Sequence, residues 1–170
     1  MQAIVLGSAA GGGIPQWNCR CPVCALAWAG DPRVEARTQS SLAVSADGVS
    51  WLLLNASPDI RAQIAATPAL QPQQGLRHSP IAAVALTNGD VDHVAGLLSL
   101  RESQPFTLFG TADTLGLIAG NPIFDVVNPA LVARRTVGLG EAFSPLPGLE
   151  LELFSVPGKV PLWQEDENLV

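Results

Sequence analysis

The sequence predicts an α/β domain with a mixed sheet, and three observations support this prediction. Short apolar runs alternate with segments that carry helix-start signals. Two strand-like runs, residues 41–45 and 50–54, flank an Ala-Asp-Gly sequence at 46–48 that is typical of a hairpin turn. The 170 residues are 48% apolar and 14% charged, which is enough to build one real core. We therefore expect a single domain over residues 1–170 with both antiparallel and parallel strands.

The individual elements follow from apolar runs and from capping or breaking residues. We predict strands over residues 2–6, 41–45, 50–54, 81–86 and 106–109, with two more near 134–137 and 149–156. A helix is expected over residues 57–66, because Pro58 suits the first turn of a helix. Two further helices are expected over residues 92–100 and 111–119, the second ended by a Gly-Asn-Pro sequence.

Composition excludes several classes of function. The net charge is −6 and the pI is about 4.7, so no basic surface is available to neutralise phosphates or an anionic membrane. The apolar runs are far shorter than the roughly 20 residues that span a bilayer. The apolar N-terminus loosely resembles a signal peptide, but it is too short and lacks a positive region. We expect a cytoplasmic protein without a nucleic-acid partner and without membrane insertion.

Residues 88–93 read Asn-Gly-Asp-Val-Asp-His and form the first candidate site. They follow the predicted buried strand at 81–86, so Asp90, Asp92 and His93 are expected together at a strand's carboxyl end. Two carboxylates and one imidazole suit a divalent transition metal better than calcium or magnesium. The alternative is structural, because Asp90 or Asp92 would also suit the N-cap of the following helix.

A second candidate site is the Cys-x-Cys-x2-Cys sequence at Cys19, Cys21 and Cys24. Three clustered cysteines are a poor disulfide framework and favour a reducing compartment. They resemble a zinc knuckle, which needs a fourth ligand to complete the tetrahedron. If His93 serves the first site, His78 is the imidazole that remains; otherwise the ligand comes from another chain or from polypeptide outside this sequence. Buried structural thiols and a redox pair at Cys21 and Cys24 are the alternatives.

Two further segments contain residues that often carry function. The glycine-rich segment at 7–13 matches neither GxxxxGK[ST] nor GxGxxG, so a nucleotide site is not favoured. We expect it to be a backbone turn that lets the cysteine cluster pack against the sheet. Asp59 also follows a predicted strand, and we expect it to cap the next helix, with metal ligation as the alternative.

The strand, the ligand-rich loop ending in Asp-His and the helix of small and apolar residues together resemble the metallo-β-lactamase fold. The usual motif of that fold is His-x-His-x-Asp-His. Asn88 and Asp90 stand at the positions of the two leading histidines, while Asp92 and His93 retain the final pair. This departure puts a standard dinuclear zinc hydrolase site in doubt.

Within that superfamily, the chain resembles the pyrroloquinoline quinone (PQQ) biosynthesis protein B family. The resemblance is carried by the glycine-rich entry and by residues 15–24, 55–59 and 155–162. It implies a metallo-β-lactamase-like αββα sandwich, of which this chain is the N-terminal half, with a cysteine knuckle inserted at 19–24. A half-sandwich exposes a sheet face, so we expect self-association through that face or marginal stability.

The resemblance also implies a function and a set of metal ligands. The function implied by the resemblance is that of an iron-dependent hydroxylase, which acts on the tyrosine ring of a small peptide-derived PQQ precursor. Asp90, Asp92 and His93 would then bind active-site iron(II), or zinc as isolated, and Asn88 would have an outer supporting role at most. The three cysteines would bind structural zinc. We expect the fragment by itself to be inactive, because further ligands lie in the half of the family sequence that is absent here.

The alternative function is a carrier that transports PQQ or its precursor towards the periplasm. PQQ carries several carboxylates, so a carrier needs a cationic pocket. The candidate basic residues are Arg61, Arg101 and Lys159. Their small number mildly disfavours this alternative.

Overall fold

The architecture is a six-stranded mixed sheet in a computed structural model that describes residues 1–158. The strands lie in the order of the chain: β1 (Gln2–Gly7), β2 (Ser41–Ser45), β3 (Trp51–Leu54), β4 (Ile81–Ala85), β5 (Phe106–Gly110) and β6 (Val132–Thr136). Strand β2 is antiparallel to both of its neighbours, β1 and β3, and β3 to β6 are parallel. The predicted mixed sheet and its hairpin are therefore confirmed.

Short helices and one small hairpin complete the described part of the chain. The helices are α1 (Pro22–Trp28), α2 (Ile60–Ala66), α3 (Val91–Val94) and α4 (Ala112–Gly120), with 3₁₀ helices at Pro68–Leu70, Ala95–Leu100 and Pro122–Val126. The hairpin joins β7 (Ala142–Phe143) to β8 (Leu151–Glu152). Within residues 1–158, none of the helices has the length and apolar character that crossing a membrane requires.

Three predicted elements differ from the observed ones. Helix α2 begins only at Ile60, so Pro58 precedes the helix instead of opening it. The helix predicted over 92–100 is one α turn followed by a 3₁₀ helix, because the N–H of Gly96 donates to the carbonyl oxygen of Ala56 at 2.8 Å and not to its own helix. The strand predicted near 149–156 shortens to Leu151–Glu152.

The sheet is buried on both faces at its centre. One face packs against the helices through Trp51, Leu53, Val84 and Leu108, and the other contains Leu52, Ala83, Ala85, Phe109 and Leu149. Strands β3 to β5 are thus a buried base for the loops at their carboxyl ends. Strand β1 leaves Val5 67% exposed, and self-association through the exposed sheet face stays a prediction.

Candidate metal centres

The structure brings Asp90, Asp92 and His93 together just beyond β4. One ligand atom from each residue lies within 4.8 Å of the other two. His93 Nδ1 and Asp92 Oδ1 are 2.9 Å apart, and the two side chains are 19% and 22% exposed. An Nδ1–H bonded to this carboxylate is the arrangement that leaves the lone pair of Nε2 available to a metal ion.

The alternative that these carboxylates cap the following helix is wrong for Asp90. Asp90 occupies the N-cap position of α3, yet its side chain makes no capping hydrogen bond. Its backbone N–H instead donates to Asn88 Oδ1 at 2.9 Å. Asn88 therefore shapes the turn through its side chain, its supporting role at the metal centre stays a prediction, and the Asp90 carboxylate stays available to the cluster.

The corner between β3 and α2 fixes both ends of the ligand loop. Asn55 has a φ of +64°, and its Oδ1 accepts hydrogen bonds from Thr87 N at 2.9 Å and Thr87 Oγ1 at 3.1 Å. Ala56 N donates to the His93 carbonyl oxygen at 2.7 Å, and Ala56 O accepts from Gly96 N. The sequence analysis missed this supporting role of Asn55. The sequence did contain a signal for it: an asparagine directly after a predicted strand can mark a backbone in the left-handed region, which asparagine tolerates.

Replacing Asn55 with alanine or with glycine tests this support, because the glycine variant should be the more stable one, the reverse of the usual order. Asn55→Ala loses both hydrogen bonds and strains the positive φ, so we expect a loss of about 2 kcal/mol in the free energy of unfolding. Asn55→Gly loses the same bonds without that strain and should be the more stable of the two variants. Urea unfolding measures both. Alanine and glycine at Asn128, whose Oδ1 accepts from Ala130 N without a positive φ, are the matched controls.

The order at Asn128 should be the ordinary one, with alanine at least as stable as glycine. If Asn55→Gly were less stable than Asn55→Ala, the left-handed backbone would not explain the choice of asparagine at this position.

The three cysteines also converge. Their sulfur atoms all lie within 4.8 Å of one another, and all three thiols are free. Two sulfurs on one zinc ion are about 3.8 Å apart when each Zn–S bond is about 2.3 Å, so the cluster fits zinc. Cys21 is the N-cap of α1, and its Sγ accepts a hydrogen bond from Cys24 N at 3.5 Å.

The environment of the thiols differs along the cluster. The backbone N–H of Cys24 and the Cys19 side chain lower the pKa of the Cys21 thiol, which favours the thiolate that binds metals. The backbone of Gln16 lowers the pKa of Cys24, but burial and the two neighbouring thiols outweigh it and raise that pKa. Metal binding therefore has to displace the proton of Cys24 in particular.

His78 is not the fourth ligand of the cysteine cluster. It lies outside both ligand groups, and its Nδ1 accepts a hydrogen bond from Gln73 N at 3.2 Å. Within residues 1–158, no histidine, cysteine or carboxylate joins the three sulfurs at metal-binding distance. The alternative that assigns this ligand to His78 is therefore wrong, and a ligand from elsewhere remains.

Asp59 has a role other than the predicted one, whereas the glycine-rich segment forms a turn at residues 11–13, as predicted. Asp59 occupies the N-cap position of α2 without a capping bond, so the capping prediction is wrong. Its Oδ2 accepts from Gln39 N at 2.9 Å and from Gln39 Nε2 at 3.0 Å, and it belongs to neither ligand group. The same segment also reaches the acidic centre, which is the group of Asp90, Asp92 and His93. A Cβ added to Gly11 would lie 3.5 Å from Asp92 Oδ2.

The fold and the acidic turn place the chain in a known superfamily. The family model of the β-lactamase superfamily domain matches residues 50–169. The chain therefore belongs to the β-lactamase superfamily, and the predicted metallo-β-lactamase-like fold is confirmed. The crystal structure of a diphosphatase from the PhnP family aligns with a TM-score of 0.68 and 26% sequence identity, covering 87% of this chain and 54% of that chain.

Two comparisons narrow the relationship to one group of proteins. The chain is 70% identical over 166 residues to coenzyme PQQ synthesis protein B of Methylobacterium sp. (strain 4-46), covering 98% of this chain and 56% of the relative. The crystal structure of zinc-bound PqqB from Methylobacterium extorquens aligns with a TM-score of 0.96 and 65% identity, covering 99% and 56% of the two chains. The resemblance to the PQQ biosynthesis protein B family is confirmed. The chain spans about half the length of the curated relatives it matches.

Proposed function

We propose that the protein acts in PQQ synthesis as a metal-dependent enzyme whose metal ligands include Asp90, Asp92 and His93. The observation that carries this proposal is the convergence of the three ligand atoms within 4.8 Å at the carboxyl end of a parallel strand. The name coenzyme PQQ synthesis protein B, shared by relatives at 60–70% identity, supports the assignment to PQQ synthesis.

The donor set fits iron(II). Two carboxylates and one imidazole resemble the mixed oxygen and nitrogen sites of non-haem iron oxygenases, which keep positions open for further ligands. The chemistry that a bound iron(II) ion supplies is the activation of dioxygen, with one oxygen atom going to the substrate and the other to water with two electrons from a reductant. The proposed substrate is the tyrosine ring of a small peptide-derived PQQ precursor.

The residues of this chain hold and orient the site. In this proposal His93 carries its proton on Nδ1, donates it to the Asp92 carboxylate 2.9 Å away and presents Nε2 to the metal ion. The bond from Ala56 N to the His93 carbonyl oxygen fixes the backbone below that ring. These contacts hold the imidazole in place before a metal ion or a substrate arrives.

The cysteine cluster is proposed as a structural zinc site. Its sulfur spacing suits zinc, and the N-cap position of Cys21 ties the cluster to the start of α1. The zinc in the PqqB structure from Methylobacterium extorquens is compatible with either centre.

The carrier alternative has less support. Arg101 donates to the Leu98 carbonyl oxygen at 2.7 Å and lies 3.6 Å from Glu102, so its charge is partly matched within the chain. Arg61 is exposed on α2, and Lys159 lies outside the described residues. We therefore favour the enzyme.

The activity is best tested in a full-length context. This chain would replace the matching 166 residues of the relative from Methylobacterium sp. (strain 4-46). The iron-loaded chimera, given dioxygen, ascorbate and a tyrosine-containing precursor peptide, should add oxygen to the tyrosine ring, as detected by mass spectrometry. Asp92→Ala and His93→Ala should abolish that product. Full turnover in both variants would contradict the enzymatic proposal, and metal-independent binding of PQQ would favour the carrier.

A further inference from the structure

Gly11 lies directly beside the carboxylate of Asp92. A Cβ at this position would meet Asp92 Oδ2 at 3.5 Å and Asp92 Cγ at 3.7 Å, and its three nearest neighbours all belong to Asp92. These are ordinary van der Waals distances, so the packing does not require glycine. The backbone does not require it either, because Gly11 lies outside the left-handed region that Gly12 (φ +94°) and Gly13 (φ +75°) adopt. Gly11 is exposed, so the missing side chain leaves open space beside a proposed metal ligand.

The segment that carries Gly11 is held by backbone bonds on either side of it and by the side chain of Gln39. Gln39 Oε1 accepts a hydrogen bond from Gly12 N at 3.0 Å. The Gln39 amide Nε2 in turn donates to Asp59 Oδ2, and the Gln39 carbonyl oxygen accepts from the buried Gln63 Nε2 at 2.8 Å. The position of Gly11 is therefore linked to α2 through the Gln39 side chain. This link explains why Asp59 bonds to Gln39 and does not cap α2.

We propose that Gly11 sets the width of the approach to the Asp92–His93 centre and that Gln39 is the positioning residue that holds this approach in place. The proposal rests on the proposed metal centre. Gly11 supplies no ligand atom, so a larger side chain there should narrow the path of an ion without altering the ligands. Entry and release of an ion then slow together, and their ratio, the dissociation constant, stays nearly unchanged.

Manganese(II) is the suitable probe, because it prefers oxygen and imidazole ligands over the thiolates of the cysteine cluster. The dissociation constant is measured from the electron paramagnetic resonance signal of the free ion, and the release rate from a stopped-flow chase with excess chelator. In the full chain, Gly11→Val should slow release about tenfold, which corresponds to about 1.4 kcal/mol of barrier. Gly11→Ala should slow it less, and both dissociation constants should stay within about twofold of the wild type.

Matched controls exist on α4 and after α2. A Cβ at the exposed Gly116 meets nothing within 4 Å, so Gly116→Ala and Gly116→Val should leave the release rate unchanged. Gln39→Ala removes the acceptor of Gly12 N and should have the opposite effect, with faster release. Gln71→Ala, which removes only an exposed bond to the Ala65 carbonyl oxygen, is its control.

The outcomes separate this inference from the proposed function. If manganese binding depends on Asp92 but Gly11→Val releases the ion at the wild-type rate, the inference about Gly11 is wrong and the proposed metal centre stands. A dissociation constant that changes as much as the release rate also overturns it, because Gly11 would then act on the bound ion itself. If Asp92→Asn does not weaken manganese binding, both proposals fail. Circular dichroism verifies folding, and Gly11→Ala carries the test if Gly11→Val does not fold.

Discussion

Replacing Asp92 or His93 with alanine is expected to remove metal binding at the acidic centre while zinc at the cysteine cluster remains. Each residue supplies one of the three clustered ligand atoms, and loss of a partner of such a ligand already weakens metal affinity about 10–100-fold. Loss of a ligand itself should therefore cost at least about 100-fold. Asp92→Ala should have the larger effect, because it also removes the acceptor that orients the His93 ring.

Metal analysis by mass spectrometry after anaerobic equilibration with iron(II) and zinc tests this expectation. Asp113→Ala on the exposed surface of α4 and His78→Ala are the matched controls, and both should retain the metal content of the wild type. Cys21→Ser should show the converse result, with zinc lost and iron kept. Unchanged iron content in both Asp92→Ala and His93→Ala would refute the assignment of these ligands.

The features that sequence predicts well here are local. Asp90, Asp92 and His93 lie within four residues and directly follow a strand, so one turn is enough to bring them together. Cys19, Cys21 and Cys24 are equally close along the chain, and the turn into α1 completes their arrangement. The strands follow from apolar runs whose ends are marked by glycine, proline or polar residues.

The features that sequence could not predict depend on residues far apart in the chain. Capping was a reasonable expectation for Asp59, but Gln39 competes for that carboxylate and wins with two hydrogen bonds. The helix expected over 92–100 breaks because Gly96 bonds to Ala56 across the site. Helix and capping propensities predict only the hydrogen bonds between residues close in sequence. At both positions a partner distant in sequence forms the hydrogen bond instead.

Gly96 is the position where a single methyl group should most disturb both the fold and the metal centre. A Cβ on this buried glycine would overlap the Ser57 carbonyl oxygen and approach the Ala56 carbonyl oxygen at 2.7 Å. Backbone atoms of the β3–α2 corner cannot yield as a flexible side chain would. We therefore expect Gly96→Ala to lower the free energy of unfolding by about 3 kcal/mol, at the upper end of overpacking effects.

The same substitution should also weaken metal binding, because displacing the corner moves the Ala56 N–H that holds the His93 carbonyl oxygen. Urea unfolding and manganese titration of the same samples measure the two effects. Gly116→Ala is the matched control, and at an exposed helical position with open space it should instead stabilise by about 0.4–1 kcal/mol. A Gly96→Ala protein with wild-type stability would show that the corner is free to shift. A destabilised protein with wild-type manganese affinity would show that the ligand loop keeps its geometry without the bond from Ala56.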